Sequence, residues 1–184
     1  MFKWLVNRRL KKFEREFDYN MDYVREILAA TTRGFLAFSK ALSLAKYREG
    51  APREATYAAS IAATLAEDCG PCTQLVVTMA EHEDVSPATL RVILLGDGKG
   101  MPPDALLGYR FARAVLARDL AEADRLRAEV VQKWGRRAVV SLALTIASSR
   151  IFPTVKYARG YGRACSHVRV AGEEVGVAAR GQAA

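Results

Sequence analysis

Two cysteines on either side of a Gly-Pro pair, Cys69 and Cys72, are the residues whose types and spacing point most directly to chemistry. They lie in the stretch LAEDCGPCTQLVV, where one helical pattern ends and another begins. The two-residue spacing lets the sulfurs reach bonding distance without unwinding a helix. Free backbone N–H groups and the positive end of the dipole at a helix start also stabilise a thiolate. The sequence therefore predicts a pair that opens and closes as a disulfide.

Two other interpretations of this pair stay open. Cysteine is among the most often buried residue types, so both side chains could be structural thiols. A zinc site would take Cys69, Cys72, Cys165 and His167 as its four ligands. The Cys-x-His spacing of the last two is unusual for zinc, so we rank this interpretation last. We favour redox chemistry, and we expect no metal and no other cofactor.

The overall composition is that of a soluble globular protein. The chain has 184 residues, of which 51% are hydrophobic and 26% charged, enough for one good hydrophobic core. The formal net charge is +8, but five basic residues lie within the first twelve positions, so the excess is local. We therefore do not expect a nucleic-acid-binding fold.

The start of the chain does not have the pattern of a secretory signal. The apolar part of MFKWLVNRRLKK is too short, its charges follow rather than precede it, and no small-residue cleavage site is present. The longest apolar stretch, residues 138–147, is well short of the roughly 20 residues that a membrane span needs. We expect a cytoplasmic protein, where thiols stay reduced unless they take part in redox chemistry.

The elements that must position the pair are predicted to be helices. Apolar residues recur at helical spacing almost throughout, and alternating strand patterns are hard to find, so the fold class is all-α. Helix starts are indicated at Ser86-Pro87, at Pro103 and at Asp119, which forms a capping box with Glu122. Pro153 is expected to kink or restart the last long helix. We divide the chain into a basic N-terminal arm (1–20), a helical domain (21–162) and a flexible, weakly structured tail (163–184).

The order of these parts resembles the carboxymuconolactone decarboxylase and AhpD-like alkylhydroperoxidase family. An alanine-rich helix ends in CxxC, a short helix follows, VSPATL opens the next, and a small-residue helix, LALTIASSRIFPTVKYARGYG, comes late. The resemblance covers about residues 35–162, and the CxxC is its only specific chemical motif. It implies an AhpD-like helical bundle assembled as trimers or hexamers. It also implies cysteines that reduce peroxide and are re-reduced by a partner protein or a small thiol.

The sequence departs from that family where protons are transferred. The family's glutamate, twelve residues before the first cysteine, and its histidine, four after the second, are Tyr57 and Val76 here. The resemblance implies that Cys72 attacks peroxide and Cys69 resolves, whereas helix geometry alone favours Cys69 as the exposed nucleophile. The order therefore stays open. Glu67, next to the pair, is the candidate for the missing base.

These patterns predict a thiol–disulfide oxidoreductase or an alkylhydroperoxidase-like peroxidase. Its catalytic residues would be Cys69, Cys72 and Glu67, and its substrate a peroxide or a disulfide. Because the relay positions are changed, we expect slow peroxide turnover.

The alternative is a non-enzymatic oligomeric binding protein whose basic, amphipathic N-terminal arm contacts a membrane surface or a partner. We favour instead packing of the arm on a neighbouring subunit through Phe2, Trp4 and Leu5. The reason is that acidic residues at positions 14, 16 and 18 follow immediately and weaken the positive field.

Overall fold

A computed structural model describes residues 1–163 and 167–177 of the chain. Over these residues the fold is mostly helical, which confirms the all-α prediction at the level of fold class. The elements are α1 (Phe2–Phe17), α2 (Asp22–Ala30), α3 (Thr32–Ser39), α4 (Ala41–Lys46), α5 (Arg53–Ala66), α6 (Gly70–His82), α7 (Pro87–Leu95), α8 (Pro103–Ala117), α9 (Leu120–Trp134), α10 (Arg136–Ala158), β1 (His167–Val170) and β2 (Glu173–Gly176).

The alanine-rich helix α5 is the centre of the main hydrophobic core. Every residue from Ala55 to Thr64 is buried, and the helix contacts α6, α7, α8 and α10. Small side chains allow this close packing: a Cβ at Gly108 of α8 would overlap the backbone of Ala55. A helix that is buried on all sides has little freedom to move. The turn that follows α5, which carries the two cysteines, is therefore held on a rigid support.

The predicted helix starts are observed. The Ser86 side chain accepts a hydrogen bond from the Thr89 N–H at 3.1 Å, and Asp119 accepts one from the Glu122 N–H at 3.1 Å. Each bond satisfies an N–H group that the first turn of a helix leaves without a partner. The expectation for Pro153 was wrong in part, because α10 continues through it to Ala158 without a restart.

A second, smaller core joins the N-terminal helices to α10. Its buried residues are Leu10, Tyr19, Tyr23 and Val24. Lys156 of α10 is only 3% exposed, and its ammonium lies 4.2 Å from the ring centre of Tyr19 and 5.2 Å from that of Tyr23. Burial lowers the pKa of Lys156 to about 8. The two rings provide attraction for the charged form but no ion pair.

The C-terminal segment contradicts the prediction of a weakly structured tail over residues 167–177. There β1 and β2 pair antiparallel as a hairpin that packs on α6 and α7, with Val168 and Val170 fully buried. The turn between the strands has positive φ at Ala171 (51°) and Gly172 (81°), which suits the twist of a two-residue hairpin. The predicted all-α fold therefore carries a small sheet.

Among the described residues, α10 is the one helix long and apolar enough to cross a membrane by length and composition. The apolar run of residues 138–147 continues into a 23-residue helix. Its buried face packs on α4, α5 and α9. Polar contacts also hold it there, since Ser149 bonds Ser60 at 2.8 Å and Ser141 bonds the backbone of Glu49 at 2.7 Å. These contacts hold one face of α10 on the main core.

Candidate redox site

The CxxC turn joins two antiparallel helices of the core. Glu67 ends α5, Asp68 adopts a left-handed conformation with φ 53°, and Cys69 is the residue before the first turn of α6. Asp tolerates this conformation better than most residues with a side chain. The Cys69 N–H donates to the Thr64 carbonyl at 3.3 Å and closes the turn. Pro71 favours the start of α6 because its fixed φ suits the first turn.

Cys69 and Cys72 are joined by a disulfide bond in this structure. Their Cα atoms lie 5.2 Å apart, within the usual range for a disulfide. Cys69 is 0% exposed and Cys72 is 4% exposed. The spacing thus brings the sulfurs together as predicted, but the expectation of an exposed nucleophile at Cys69 is not met in this state.

The first turn of α6 has fewer free amides than its sequence suggests. The Gly70 N–H donates to the Arg163 carbonyl at 3.0 Å, and the Thr73 N–H donates to the Cys69 carbonyl at 2.9 Å. Pro71 has no N–H group. A thiolate at this turn is therefore stabilised by the helix dipole more than by free backbone N–H donors.

Two hydrogen bonds hold the end of α10 and the residues after it against the CxxC turn: the Gly70–Arg163 bond and a bond from Tyr157. The Tyr157 hydroxyl donates to the Asp68 carbonyl at 2.6 Å. A Cβ at Gly162 would overlap the Tyr157 ring, so only glycine lets the chain pass back over that ring towards Gly70. The segment from Tyr157 to Arg163 thus covers the turn, and we call it the cover segment.

Glu67 lies beside the turn but is engaged in an ion pair. Its carboxylate contacts the Arg150 guanidinium of α10 at 2.5 Å, and its side chain is 21% exposed. The ion pair joins the end of α5 to α10. Glu67 can therefore position the turn through Arg150, and it can act as a base only if that contact opens.

Tyr57 and Val76 occupy the changed relay positions. The Tyr57 hydroxyl donates to the Met79 carbonyl at 3.3 Å, and its ring lies under the Arg48 guanidinium at 4.5 Å. Burial raises the pKa of Tyr57 to about 12. Met79 is seven residues beyond Cys72, or about 10 Å along α6, so this hydroxyl lies far from the disulfide. Val76 is partly buried and packs on the main core.

The chain has two histidines and one further cysteine that could take part in chemistry. His82 is exposed at the far end of α6 and packs on Phe17 at 5.2 Å between ring centres. His167 begins β1 and lines a polar cleft of about 380 Å³ beside Gln74. Cys165 lies outside the described residues. In the part of the chain that the structure describes, no group of three or more His, Cys, Asp or Glu side chains is arranged to hold a metal.

Sequence reasoning missed the residues that enclose the pair. Arg163, Tyr157 and Arg150 all come from the end of α10 or the segment after it, more than seventy residues beyond Cys72. An arginine or a tyrosine on a helix has many roles, so nothing in its local pattern indicates this one. The single signal was the glycine at 162, which marks a close approach of backbone to a ring.

Comparison with known proteins finds no matching family model, no matching curated protein and no matching solved structure. The geometry of the site is therefore the basis for the function proposed below.

Proposed function

We propose that this protein is a thiol–disulfide oxidoreductase that cycles Cys69 and Cys72 between a dithiol and a disulfide, with weak alkylhydroperoxidase-like activity. The observation that carries the proposal is the disulfide at the first turn of α6, on the rigid support of α5. We extend the resemblance to AhpD-like proteins as part of this proposal. The alanine-rich helix before the pair and the mostly helical core support it.

The size of the ring that the disulfide closes favours redox chemistry over a structural role. The bonded cysteines are separated by three positions, so the ring contains only four residues. In the chain-entropy treatment such a ring stabilises the fold by about 2 kcal/mol, whereas rings of about 100 residues contribute more than twice as much. Packing already holds these adjacent turns of the core together, so a covalent link between them adds little stability.

The reaction with peroxide balances as a two-electron step followed by disulfide formation. One thiolate attacks the peroxide oxygen, the O–O bond breaks, and an alcohol or water leaves after taking up a proton. The sulfenic acid then condenses with the second thiol, forms the S–S bond and releases water. An external dithiol returns the two electrons by exchange through a mixed disulfide. Either cysteine can serve as the attacking group.

Proton transfer limits the peroxide half of this cycle. Val76 provides no acceptor one helical turn from Cys72, and the Glu67 carboxylate contacts Arg150. Exchange with a disulfide requires only a thiolate, so it is less affected. The site is therefore better suited to thiol–disulfide exchange than to rapid peroxide reduction.

Burial of the pair restricts the size of what reaches it. Cys69 is fully buried and Cys72 is 4% exposed, so in the closed state only a small molecule can reach the pair, and only at Cys72. A small peroxide or a small disulfide therefore fits the closed state. A protein reductant requires the contacts from Tyr157 to Asp68 and from Arg163 to Gly70 to open.

Alkylation and mass measurement test the cycle on the native, full-length chain. The oxidised protein should take up one alkyl group, at Cys165. It should take up three after treatment with dithiothreitol, and one again after peroxide. A Cys165→Ala variant, which keeps the cycle but loses its constant thiol, is the matched control.

Two results would contradict the proposal. One is a disulfide that resists reduction until the chain is unfolded. The other is a reduction potential below about −300 mV, the range of structural disulfides, rather than near the −270 mV of thioredoxin. Failure of peroxide alone to reoxidise the dithiol, with oxidised glutathione still effective, would remove the peroxidase part and leave the exchange activity.

A further inference from the structure

The outer face of α1 combines positive charge with exposed apolar side chains. Trp4, Arg8, Lys11 and Arg15 follow one another at spacings of four, three and four residues, which places them on a single stripe. All four are exposed, and Trp4 is 62% exposed. The Arg8 guanidinium lies 5.8 Å from the Trp4 ring centre.

The inner face of the same helix is already covered. Val6, Leu10, Phe13 and Phe17 have the same four, three, four spacing and pack in the second core. Phe2 also packs within the chain, against Phe35 of α3 at 6.3 Å between ring centres. Of the three side chains that the sequence assigned to a neighbouring subunit, Phe2 thus packs within this chain, whereas Trp4 and Leu5 stay exposed.

Glu14, the first of the acidic residues that follow, does not neutralise the outer face. Glu14 turns away from it and pairs with Arg25 of α2, and this guanidinium lowers the pKa of Glu14. Within the described residues, none of the basic side chains of α1 forms an ion pair with an acidic side chain within 4.0 Å; these basic residues are Lys3, Arg8, Arg9, Lys11, Lys12 and Arg15. The positive field of the helix is thus left free for an external anion.

We propose that the outer face of α1 binds the surface of an anionic lipid bilayer, with Trp4 and the exposed start of the helix inserted among the headgroups. Charge complementarity selects an anionic partner. The apolar side chains select lipid over nucleic acid: Met1 is 100% exposed and Leu5 is 47% exposed beside Trp4. Tryptophan is favoured at the boundary between headgroups and acyl chains. The face is independent of the redox site and of the function proposed for it.

Vesicle co-sedimentation of the full-length protein tests this surface. The probes are vesicles of phosphatidylcholine alone and of equal parts phosphatidylcholine and phosphatidylserine, each at low ionic strength and at about 0.15 M salt. We expect binding to the mixed vesicles only, and weaker binding as the salt is raised. Equal binding to both vesicle types, or no binding at low salt, would overturn the proposal.

A charge-matched pair of variants locates the binding face. The test variant carries Arg8→Gln, Lys11→Gln and Arg15→Gln, and the control carries Lys99→Gln, Arg127→Gln and Arg136→Gln, which are exposed elsewhere on the chain. The test variant should lose about a hundredfold in partitioning, at about fivefold per basic residue, while the control keeps most of its binding. An equal loss in both variants would show that only net charge matters and would overturn the assignment.

The fluorescence of Trp4 separates insertion from simple electrostatic attraction. The chain has two tryptophans, so a Trp134→Phe variant leaves Trp4 as the only one. Its emission should shift to shorter wavelength with mixed vesicles and stay unchanged with duplex DNA of any sequence. A shift with DNA and none with vesicles would assign the face to nucleic acid instead. A double Cys69→Ser, Cys72→Ser variant should bind vesicles like the wild type, so failure here and failure of the redox proposal are distinguishable.

Discussion

At the scale of single residues, the side chain at position 76 determines how fast the site can transfer a proton from the thiol. Val76 lies one helical turn after Cys72, where a side chain can reach the thiol, and it is only partly buried. A histidine there would accept the proton that leaves during attack on peroxide. General-base help of this kind is typically worth about 10²–10⁴-fold in rate.

We therefore expect Val76→His to raise the rate of peroxide reduction at least about tenfold, with little effect on exchange with oxidised glutathione. Stopped-flow measurement of the oxidation of the pre-reduced protein, by peroxide and in a separate experiment by oxidised glutathione, gives both rates. Val76→Leu is the size control and should behave like the wild type. An equal gain in both variants would mean that altered packing, rather than proton transfer, is responsible.

Glu67 is expected to act through its ion pair rather than as a base. If it positions the turn by contacting Arg150, then Glu67→Gln and Arg150→Gln remove the same contact and should change the exchange rate to the same small degree. A partly exposed pair of this kind contributes about 1 kcal/mol or less to stability. The pH dependence of exchange for both variants provides the measurement. Loss of an ionisation in Glu67→Gln alone would instead make Glu67 the base.

Lys156 should give the fold a pH dependence above neutrality. Burial lowers its pKa from 10.5 to about 8, so below pH 8 the folded state carries the full cost of a buried charge. As the pH rises from about 8 towards 10.5, the unfolded chain holds the proton that the folded chain has released, and stability rises by at most about 1.4 kcal/mol per pH unit.

Urea unfolding of the wild type and Lys156→Met at several pH values between 7 and 9.5 measures this effect. The wild type should gain stability relative to the variant across the window. Burial raises the pKa values of Tyr19 and Tyr23, which face the ammonium, and both proteins carry these residues, so their contribution cancels. Parallel pH curves for the two proteins would show that the two rings hold Lys156 fully charged.

At the scale of elements, local pattern predicted the helices well and the hairpin poorly. Caps such as Asp119 with Glu122 act within one turn, so the sequence carries their whole signal. Val168 and Val170 alternate as in a strand, but each strand has only four residues. The turn places Ala171 at positive φ, where Asn or Asp is more usual. Contacts with α6 and α7 decide this conformation, and they are not visible in a short pattern.

In the candidate site, too, the local features were predictable from the sequence and the distant contacts were not. The spacing of Cys69 and Cys72 is local, and it predicted their pairing. The contacts of Tyr157 with Asp68 and of Arg163 with Gly70 come from the end of α10, which runs unbroken through Pro153, and from the segment after it. A kink at that proline was the reasonable expectation from sequence, since proline removes one helical hydrogen bond. The cover segment therefore had to be found from the structure.

Gln74 and Glu81 of α6 both bond the hairpin, Gln74 at β1 and Glu81 at the N–H of Ala171 in the turn. The Gln74 side-chain amide donates to the Arg169 carbonyl at 3.0 Å and accepts from the Arg169 N–H at 2.7 Å, as a neighbouring strand would. Gln74→Ala should lower the local stability of β1 by about 1–2 kcal/mol, because two hydrogen bonds are lost. Hydrogen exchange of residues 167–170 measures it.

The matched control for this prediction is Gln132→Ala, at an exposed position of α9. It should leave exchange in the hairpin unchanged. Unaltered protection of Val168 and Val170 in Gln74→Ala would mean that burial and the remaining contact of Ala171 with Glu81 hold the hairpin without Gln74.

At the scale of the whole molecule, several apolar side chains remain uncovered in the single chain. Leu36, Leu42 and Leu44 of the consecutive helices α3 and α4 are 47%, 47% and 36% exposed. Single exposed leucines are common, but three within nine residues leave apolar area uncovered on α3 and α4, and we call these three side chains the leucine patch. This patch, together with the resemblance to AhpD-like proteins, leads us to propose a homo-oligomer.

Light scattering at micromolar concentration should therefore give a particle of three or six times the 20.2 kDa chain mass. Leu42→Glu places a charge in the patch and should shift the particle towards the single chain, because an unpaired charge is costly to bury at an interface. Leu95→Glu, at a lone leucine that is 55% exposed at the end of α7, is the control and should leave the mass unchanged. A 20.2 kDa particle for the wild type would refute the oligomer, and dissociation by Leu95→Glu alone would move the interface to α7.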